Sequence, residues 1–229
     1  MRILAFDTST KFLSIACLEN TDVVARFHED VGIRHSEIIV PTIEKMLGKI
    51  NWTIAEVELV CVGLGPGSFT GLRIAVATVK GFAAAVENKV VGVPTMDAMV
   101  MNLSFAEKRV APFIDARKGK VYTCIYDRTG REAKKLTDYL LVTVDEFLKS
   151  LDEEVLFFGD AVTKYKDELE NSSLARYDEK VDWYPRAENI GRIGYKKALT
   201  ATDDPKDIEP LYLHAKEANI TEENIKRVK

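Results

Sequence analysis

Leu59-Val60-Cys61-Val62-Gly63-Leu64 runs into Gly65-Pro66-Gly67-Ser68-Phe69-Thr70-Gly71-Leu72-Arg73, and an alanine-rich stretch then reaches Glu87. A short apolar run ending in glycine punctuation reads as a buried strand, and the spacing beyond Thr70 predicts a helix. Strand, turn and helix in this order point to an α/β protein. Glycines at 63, 65, 67 and 71 permit positive φ and close backbone approach. Ser68 and Thr70 can cap the helix, whose free N–H groups point into the turn. Such a turn can hold an anion. It is not a Walker loop, because Gly71 is followed by Leu72 and Arg73 with no lysine before Lys80. Nor is it the dinucleotide fingerprint, since counting from Gly65 puts Thr70 where a glycine is required. Two readings stay open from spacing alone, an anion cradle and a tight strand-to-helix turn. A helix terminus stabilises a nearby anion by roughly 0.3 to 2 kcal/mol, whereas micromolar affinity needs about 8 kcal/mol. The turn cannot hold a nucleotide by itself.

Working outward, the plan around this turn occurs twice. Ile3 to Thr8 reads as a strand, Leu13, Ile15 and Cys17 alternate with small or polar residues, and Thr21-Asp22 marks a turn before Val23 to His28. A shift of 108 positions carries Asp7 onto Asp115, with Phe113 to Ala116, Val121 to Tyr126 and Lys134 to Val142 as the corresponding strands. Ser36 can cap a first helix carrying Ile39, Ile43, Met46 or Leu47, and Ile50 at helical spacing, with Pro41 bending or delimiting its first turn. Thr143 and Glu146 form a capping-box signature for the second. Strands at Leu59 to Leu64 and Val155 to Phe158 then lead into Gly65 to Ser68 and Gly159-Asp160. Three strands, helix, strand, turn and helix, repeated, resemble the duplicated α/β fold of the actin, sugar-kinase and Hsp70 superfamily (ASKHA, RNase H-like). The expectation is two βββαβα lobes, residues 1–103 and 104–229. In that superfamily the halves flank a nucleotide cleft, with an aspartate near the end of each first strand.

The chain has 229 residues, 46% hydrophobic and 30% charged, which is ordinary for a soluble globule. The apolar run opening at Met1 is too short for a signal peptide before Asp7, and no later stretch approaches the twenty or so residues of a membrane span. Cytoplasmic location and no membrane association are the expectations. Cys17, Cys61 and Cys124 are odd in number and embedded in apolar runs, so they read as free buried thiols. A net charge of −4 argues against autonomous binding to nucleic acid. Arg117-Lys118, Lys134-Lys135 and Lys196-Lys197 read as solvated loops.

The helix from Thr70 to Glu87 carries charges only at Arg73, Lys80 and Glu87. Seven residues nearly complete two turns, so these charges share one stripe and the rest of the circumference is apolar or small. The helix from Ser36 to Ile50 can lie beside it and cover part of that surface. A sharper expectation is that both helices also form a subunit interface, through Ile39, Ile43 and Met46 on one and Leu72, Ala77, Lys80, Gly81 and Ala84 on the other. Further on, Ala187 to Leu199 reads as a helix that Asp203-Asp204-Pro205 ends, and a charged tail follows Pro210 to His214.

GPGSFTGLR after an apolar strand, FDTST near the N-terminus, His35-Ser36-Glu37 opening the first long helix and IDARKGKVY in the second half together resemble the TsaB (YeaZ) family. The resemblance spans nearly the whole chain. It implies a bacterial noncatalytic subunit that works with a larger paralogue, TsaD, and an ATPase, TsaE. That machinery moves a threonylcarbamoyl group from threonylcarbamoyl-adenylate onto the adenosine beside the anticodon of tRNA. It implies a heterodimer with TsaD, a homodimer when alone, no cofactor, and tRNA contact that is weak or indirect. The catalytic paralogue carries a His-x-x-x-His metal site, where this chain has Thr95 and Met99, a poor donor pair for a divalent ion. Metallopeptidase activity is the weaker alternative on that ground. The other alternative is an ATP-dependent phosphotransferase of the actin-like superfamily. Its members usually have Asp-x-Gly at the first strand end, whereas Asp7 is followed by Thr8, Ser9 and Thr10. Ser9 and Thr10 hydroxyls can bond an anion and Asp7 can hold magnesium through water, or they can simply cap the turn. The residues expected near any anion are Asp7, Ser9, Thr10, Gly65, Gly67, Ser68, Thr70, Arg73 and Asp115.

Overall fold

The computed structural model describes residues 1–103, 107–130, 132–178 and 183–213. His214 and the charged tail lie outside them. The chain divides into two compact units, Met1–Ala98 with Pro185–Leu211, and Met99–Tyr184 with Tyr212–Lys229.

The first unit is built on β1 (Arg2–Asp7), β2 (Phe12–Glu19), β3 (Asp22–Asp30), α1 (His35–Lys49), β4 (Leu59–Gly63), α2 (Phe69–Val86) and β5 (Lys89–Val93), with α3 (Thr95–Val100) following. Its sheet runs β3-β2-β1-β4-β5. The β1–β2 and β2–β3 pairs are antiparallel hairpins, and β4 lies parallel to β1 and β5. Both central strands are buried along nearly their whole length, as parallel strands covered on two faces must be. One face packs Leu4, Phe6, Val60 and Val62 against Ile39, Ile43, Met46 and Leu47 of α1 and Ala75, Val76 and Val79 of α2.

In the second unit the chain continues through β6 (Glu107–Arg117), β7 (Lys120–Thr123), β8 (Tyr126–Arg128), β9 (Lys134–Lys135), β10 (Leu140–Thr143), α4 (Val144–Lys149), β11 (Val155–Phe158), α5 (Ala161–Lys164), α6 (Lys166–Glu170) and β12 (Ala175–Tyr177). The order β10-β7-β6-β11-β12 repeats the first sheet strand for strand, third, second, first, fourth and fifth. Thr143 and Glu146 close the capping box at α4 as the spacing predicts. The continuous third strand expected from Lys134 to Val142 is instead broken in two. β9 pairs with β8, and only β10 joins β7.

Three further expectations are corrected. The helix α7 (Ala187–Ala198) was placed with a second lobe of residues 104–229, but it covers the other face of the first sheet, where Ala187 and Ile190 pack among Ile3, Ala5, Leu18, Cys61 and Val91. Gly191 and Gly194 make this possible: a Cβ at either would come 2.5 Å from Leu18 or 2.2 Å from the Cys61 sulfur. Ser36 is not the cap of α1, whose cap position lies two residues earlier at Arg34, with no side-chain bond there. Finally, α2 is by length and composition apolar enough to cross a membrane, although only 33% of it is buried, contrary to the expectation that no stretch approaches that limit.

Candidate functional site

Parallel pairing of β1 with β4 sets Asp7 beside Gly63. A Cβ at Gly63 would stand 1.9 Å from Asp7 Oδ2, so only glycine leaves room for this carboxylate. Asp7 is completely buried. Its Oδ1 accepts from the Ser9 amide at 2.8 Å and the Ser9 hydroxyl at 2.6 Å, and its Oδ2 accepts from the Thr95 hydroxyl at 2.7 Å. Burial pushes its pKa up, opposed by the Ser9 and Thr95 hydrogen bonds and by His35. Thr95 Oγ in turn accepts from the Gly65 amide at 3.0 Å, and the Thr95 amide donates to the Gly65 carbonyl at 2.8 Å. Asp7 is thereby tied to the first glycine of the turn through one hydroxyl.

The rest of the turn closes on the chain itself. The Ser68 amide donates to the Ser9 carbonyl at 2.7 Å, and the Thr8 hydroxyl donates to the Gly71 carbonyl at 2.7 Å. A Cβ at Gly67 would lie 2.3 Å from the Ser9 carbonyl oxygen, and one at Gly71 would lie 2.0 Å from that of Thr8. These glycines are needed because the Thr8–Ser9 backbone passes against them. Of the two open readings, the tight strand-to-helix turn describes these contacts. Ser68 caps α2 by accepting from the Gly71 amide at 3.3 Å, whereas Thr70, the other expected cap, sits inside the first turn. Thr10 Oγ accepts from the Phe12 amide at 3.2 Å. Arg73 lies 3.8 Å above the ring of Phe69, which is 54% exposed.

Direct contacts thus join Asp7, Ser9, Gly65, Gly67 and Ser68 in the first unit, while Thr10 bonds Phe12, Thr70 lies inside α2 and Arg73 lies over Phe69. Asp115 belongs to the second. There its amide donates to Asp160 Oδ1 at 3.0 Å, and Lys164 Nζ donates to both of its carboxylate oxygens, at 2.9 and 3.0 Å. Burial pushes the Asp160 carboxyl up. Thr95 and Met99 are buried on α3, with Thr95 engaged by Asp7 and Gly65. His35, at the start of α1, is buried, with Nε2 3.3 Å from the Phe12 carbonyl.

Among the expected interface residues, Ile39, Ile43 and Met46 are buried in the unit's own core against the sheet, and Leu72 is buried beside Gly65. Ala77, Gly81 and Ala84 are exposed on α2, and half-buried Lys80 donates to the Lys206 carbonyl at 2.9 Å. The sequence reading passed over Thr95 as a hydrogen-bond hub and Phe69 as an exposed aromatic. A threonine two residues past the fifth strand, after Pro94, and a bulky apolar residue directly after a helix cap were the available signals.

Two sheets that share one five-strand order, each with an aspartate at or near the end of its first strand, define a duplicated actin-like α/β protein. Residues 24–222 match the family model described as TsaD: tRNA N6-adenosine threonylcarbamoyltransferase. The chain is 31% identical to the tRNA threonylcarbamoyladenosine biosynthesis protein TsaB of Escherichia coli, over 93% of this chain and 94% of that one. It is 28% identical to the Bacillus subtilis protein of the same name, over 95% and 96%. Among solved structures, YeaZ from Pseudomonas aeruginosa superposes with a TM-score of 0.76 at 26% identity, covering 93% and 99%. The ethanolamine utilization protein EutJ from Carboxydothermus hydrogenoformans does so at 0.51 and 13%, covering 85% and 90%, a likeness of fold alone. The chain belongs to the TsaB (YeaZ) family of tRNA threonylcarbamoyladenosine biosynthesis proteins.

Proposed function

We propose that this chain is a noncatalytic subunit in threonylcarbamoyladenosine formation on tRNA, acting by binding and positioning a TsaD-like catalytic subunit alongside a TsaE-like ATPase. The observation that carries this reading is the exposed face of α2. Arg73, Ala77, Gly81 and Ala84, spaced three to four residues apart, lie on one exposed stripe that begins at Phe69. A Cβ at Gly81 would meet nothing within 4 Å, so no described neighbour requires glycine there. Small side chains on an apolar helix let a second helix approach closely, and Val40 on α1 is exposed as well. A standard interface buries roughly 800 Å² per partner, which two helices can supply. In the absence of the catalytic subunit, a second copy of the chain takes the same face.

The closed turn supports the noncatalytic part of the reading. Three amides that a phosphate-binding turn would offer to its ligand are already engaged, that of Gly65 with Thr95 Oγ, that of Ser68 with the Ser9 carbonyl and that of Gly71 with the Ser68 hydroxyl. The test is reconstitution of tRNA modification from a TsaD-like subunit, a TsaE-like ATPase and threonylcarbamoyl-adenylate, with and without this chain. The chain alone is expected to be inactive and its addition to restore modification. Modification that proceeds equally well without it removes the proposed role. Ala77→Arg or Ala84→Arg is expected to weaken both self-association and partner binding by about tenfold or more, roughly 1.4 kcal/mol, with an unchanged circular dichroism spectrum. Association untouched by either arginine removes the proposed interface.

A further inference from the structure

In the second unit, the β6–β7 hairpin turns through Arg117, Lys118 and Gly119 with φ of +64°, +50° and +76°. Left-handed backbone is unfavourable for long side chains and is ordinarily given to glycine, asparagine or aspartate. Here two successive positions carry cations instead. The turn is held from below: the Arg117 amide donates to Asp115 Oδ1 at 2.9 Å, and Lys164 holds the same carboxylate. Asp115 is thus occupied within its own unit. The Arg117 and Lys118 side chains are exposed, and neither has an ion pair or side-chain hydrogen bond among the described residues. Lys120 adds a third cation next to them. A Cβ at Gly119 would meet nothing within 4 Å, so the tip is open on its outer side.

We infer that this tip is a phosphate-contact site for RNA, with Arg117 and Lys118 binding the sugar-phosphate backbone of tRNA. An open tip encloses no small ligand. No exposed large apolar side chain lies between Asp115 and Tyr122, so the tip lacks the apolar centre that a protein interface is built around. Phosphate contacts need only positive donors held in place, and they position a nucleic acid without reading its sequence. A net charge of −4 keeps such a contact weak and salt-sensitive, an orienting grip. The choice of tRNA rests on the proposed function.

The test is equilibrium binding of a labelled, unmodified tRNA transcript to the full-length chain across a range of KCl concentrations. The double variant Arg117→Asn, Lys118→Asn removes both charges with a residue that suits left-handed backbone, so its melting temperature is expected to hold or rise. Its tRNA affinity at low salt is expected to fall about tenfold, and the slope of log K against log salt to shrink by about two. Arg117→Lys with Lys118→Arg is expected to keep both. An unchanged slope in the asparagine variant overturns the inference, as does a wild-type chain with no salt-dependent binding. Displacement of tRNA by polyglutamate at equal charge overturns it as well, by pointing to an acidic protein partner. The readout is binding and not modification, so failure here leaves the proposed function standing.

Discussion

At the scale of single residues, Asp7 shows how the chain has used an aspartate that ends a first strand. The carboxylate is completely buried and accepts its hydrogen bonds from its own unit, from Ser9 and Thr95. Burial raises its pKa above the ordinary 3.8, so the native state holds this proton more tightly than the unfolded chain does. The stability Asp7 contributes is therefore fully present below the unfolded value and is lost as pH rises through the folded one. Asp7→Asn keeps an acceptor for Ser9 and removes the ionisation. Its stability relative to wild type, from urea denaturation at several values between about pH 4 and about pH 8, is expected to rise with pH. A difference independent of pH would show that Asp7 does not titrate in this range. Sequence placed Asp7, Ser9 and the glycines together, because strand ends and turn residues are local signals. It did not show that Thr95 completes the network, since that contact joins positions 88 residues apart.

At the scale of elements, α2 combines two kinds of glycine that look alike in the sequence. Gly71 lies against the Thr8 carbonyl, and a Cβ there would stand 2.0 Å from its oxygen, whereas Gly81 faces open space. Gly71→Ala is expected to destabilise the chain by about 1 to 3 kcal/mol through overpacking against backbone that cannot yield. Gly81→Ala is expected to stabilise it by about 0.5 to 1 kcal/mol through helix propensity, measured by denaturation at dilution where self-association is absent. Equal effects at the two positions would mean that the Thr8 contact does not hold the turn. The existence of α1, α2 and α7 was legible from apolar spacing, and the paired sheets from the repeated strand pattern. Which side of α2 is covered was not. Periodicity gave it an apolar circumference, and only packing decides that Ala75, Val76 and Val79 join the core with α1 and the sheet, and that Leu72 is buried beside Gly65, while Ala77 is surface. The same limit explains Ile39, Ile43 and Met46, which meet the sheet of their own unit.

At the scale of the whole molecule, the chain leaves the first unit after Ala98 and returns at Pro185. The sequence repeat suggested a single boundary, because a repeat records ancestry and not where an amphipathic helix lands. Gly191 and Gly194 were the readable hint, being three residues apart on a helix where two glycines have no local purpose. With α7 gone, Ile3, Ala5, Leu18, Cys61 and Val91 on one face of the sheet lose Ala187 and Ile190 as cover. Burying one such isoleucine is worth about 1.5 to 3 kcal/mol, a large part of the stability of a small domain. The α7 side also supplies directed bonds: the Ala187 amide donates to Ser14 Oγ at 2.8 Å, and Asn189 Nδ2 donates to the Ala98 carbonyl at 3.2 Å. A fragment of residues 1–103 is therefore expected to be aggregated or to lack a cooperative thermal transition. Residues 1–98 joined to 185–211 by a short Gly/Ser linker are expected to melt cooperatively, because the Asn189–Ala98 bond places the two ends near each other. Circular dichroism melting of both fragments decides the matter. A cooperative transition in residues 1–103 would show that α7 decorates the first unit, and failure of the joined fragment would show that the sheet also needs residues 99–184.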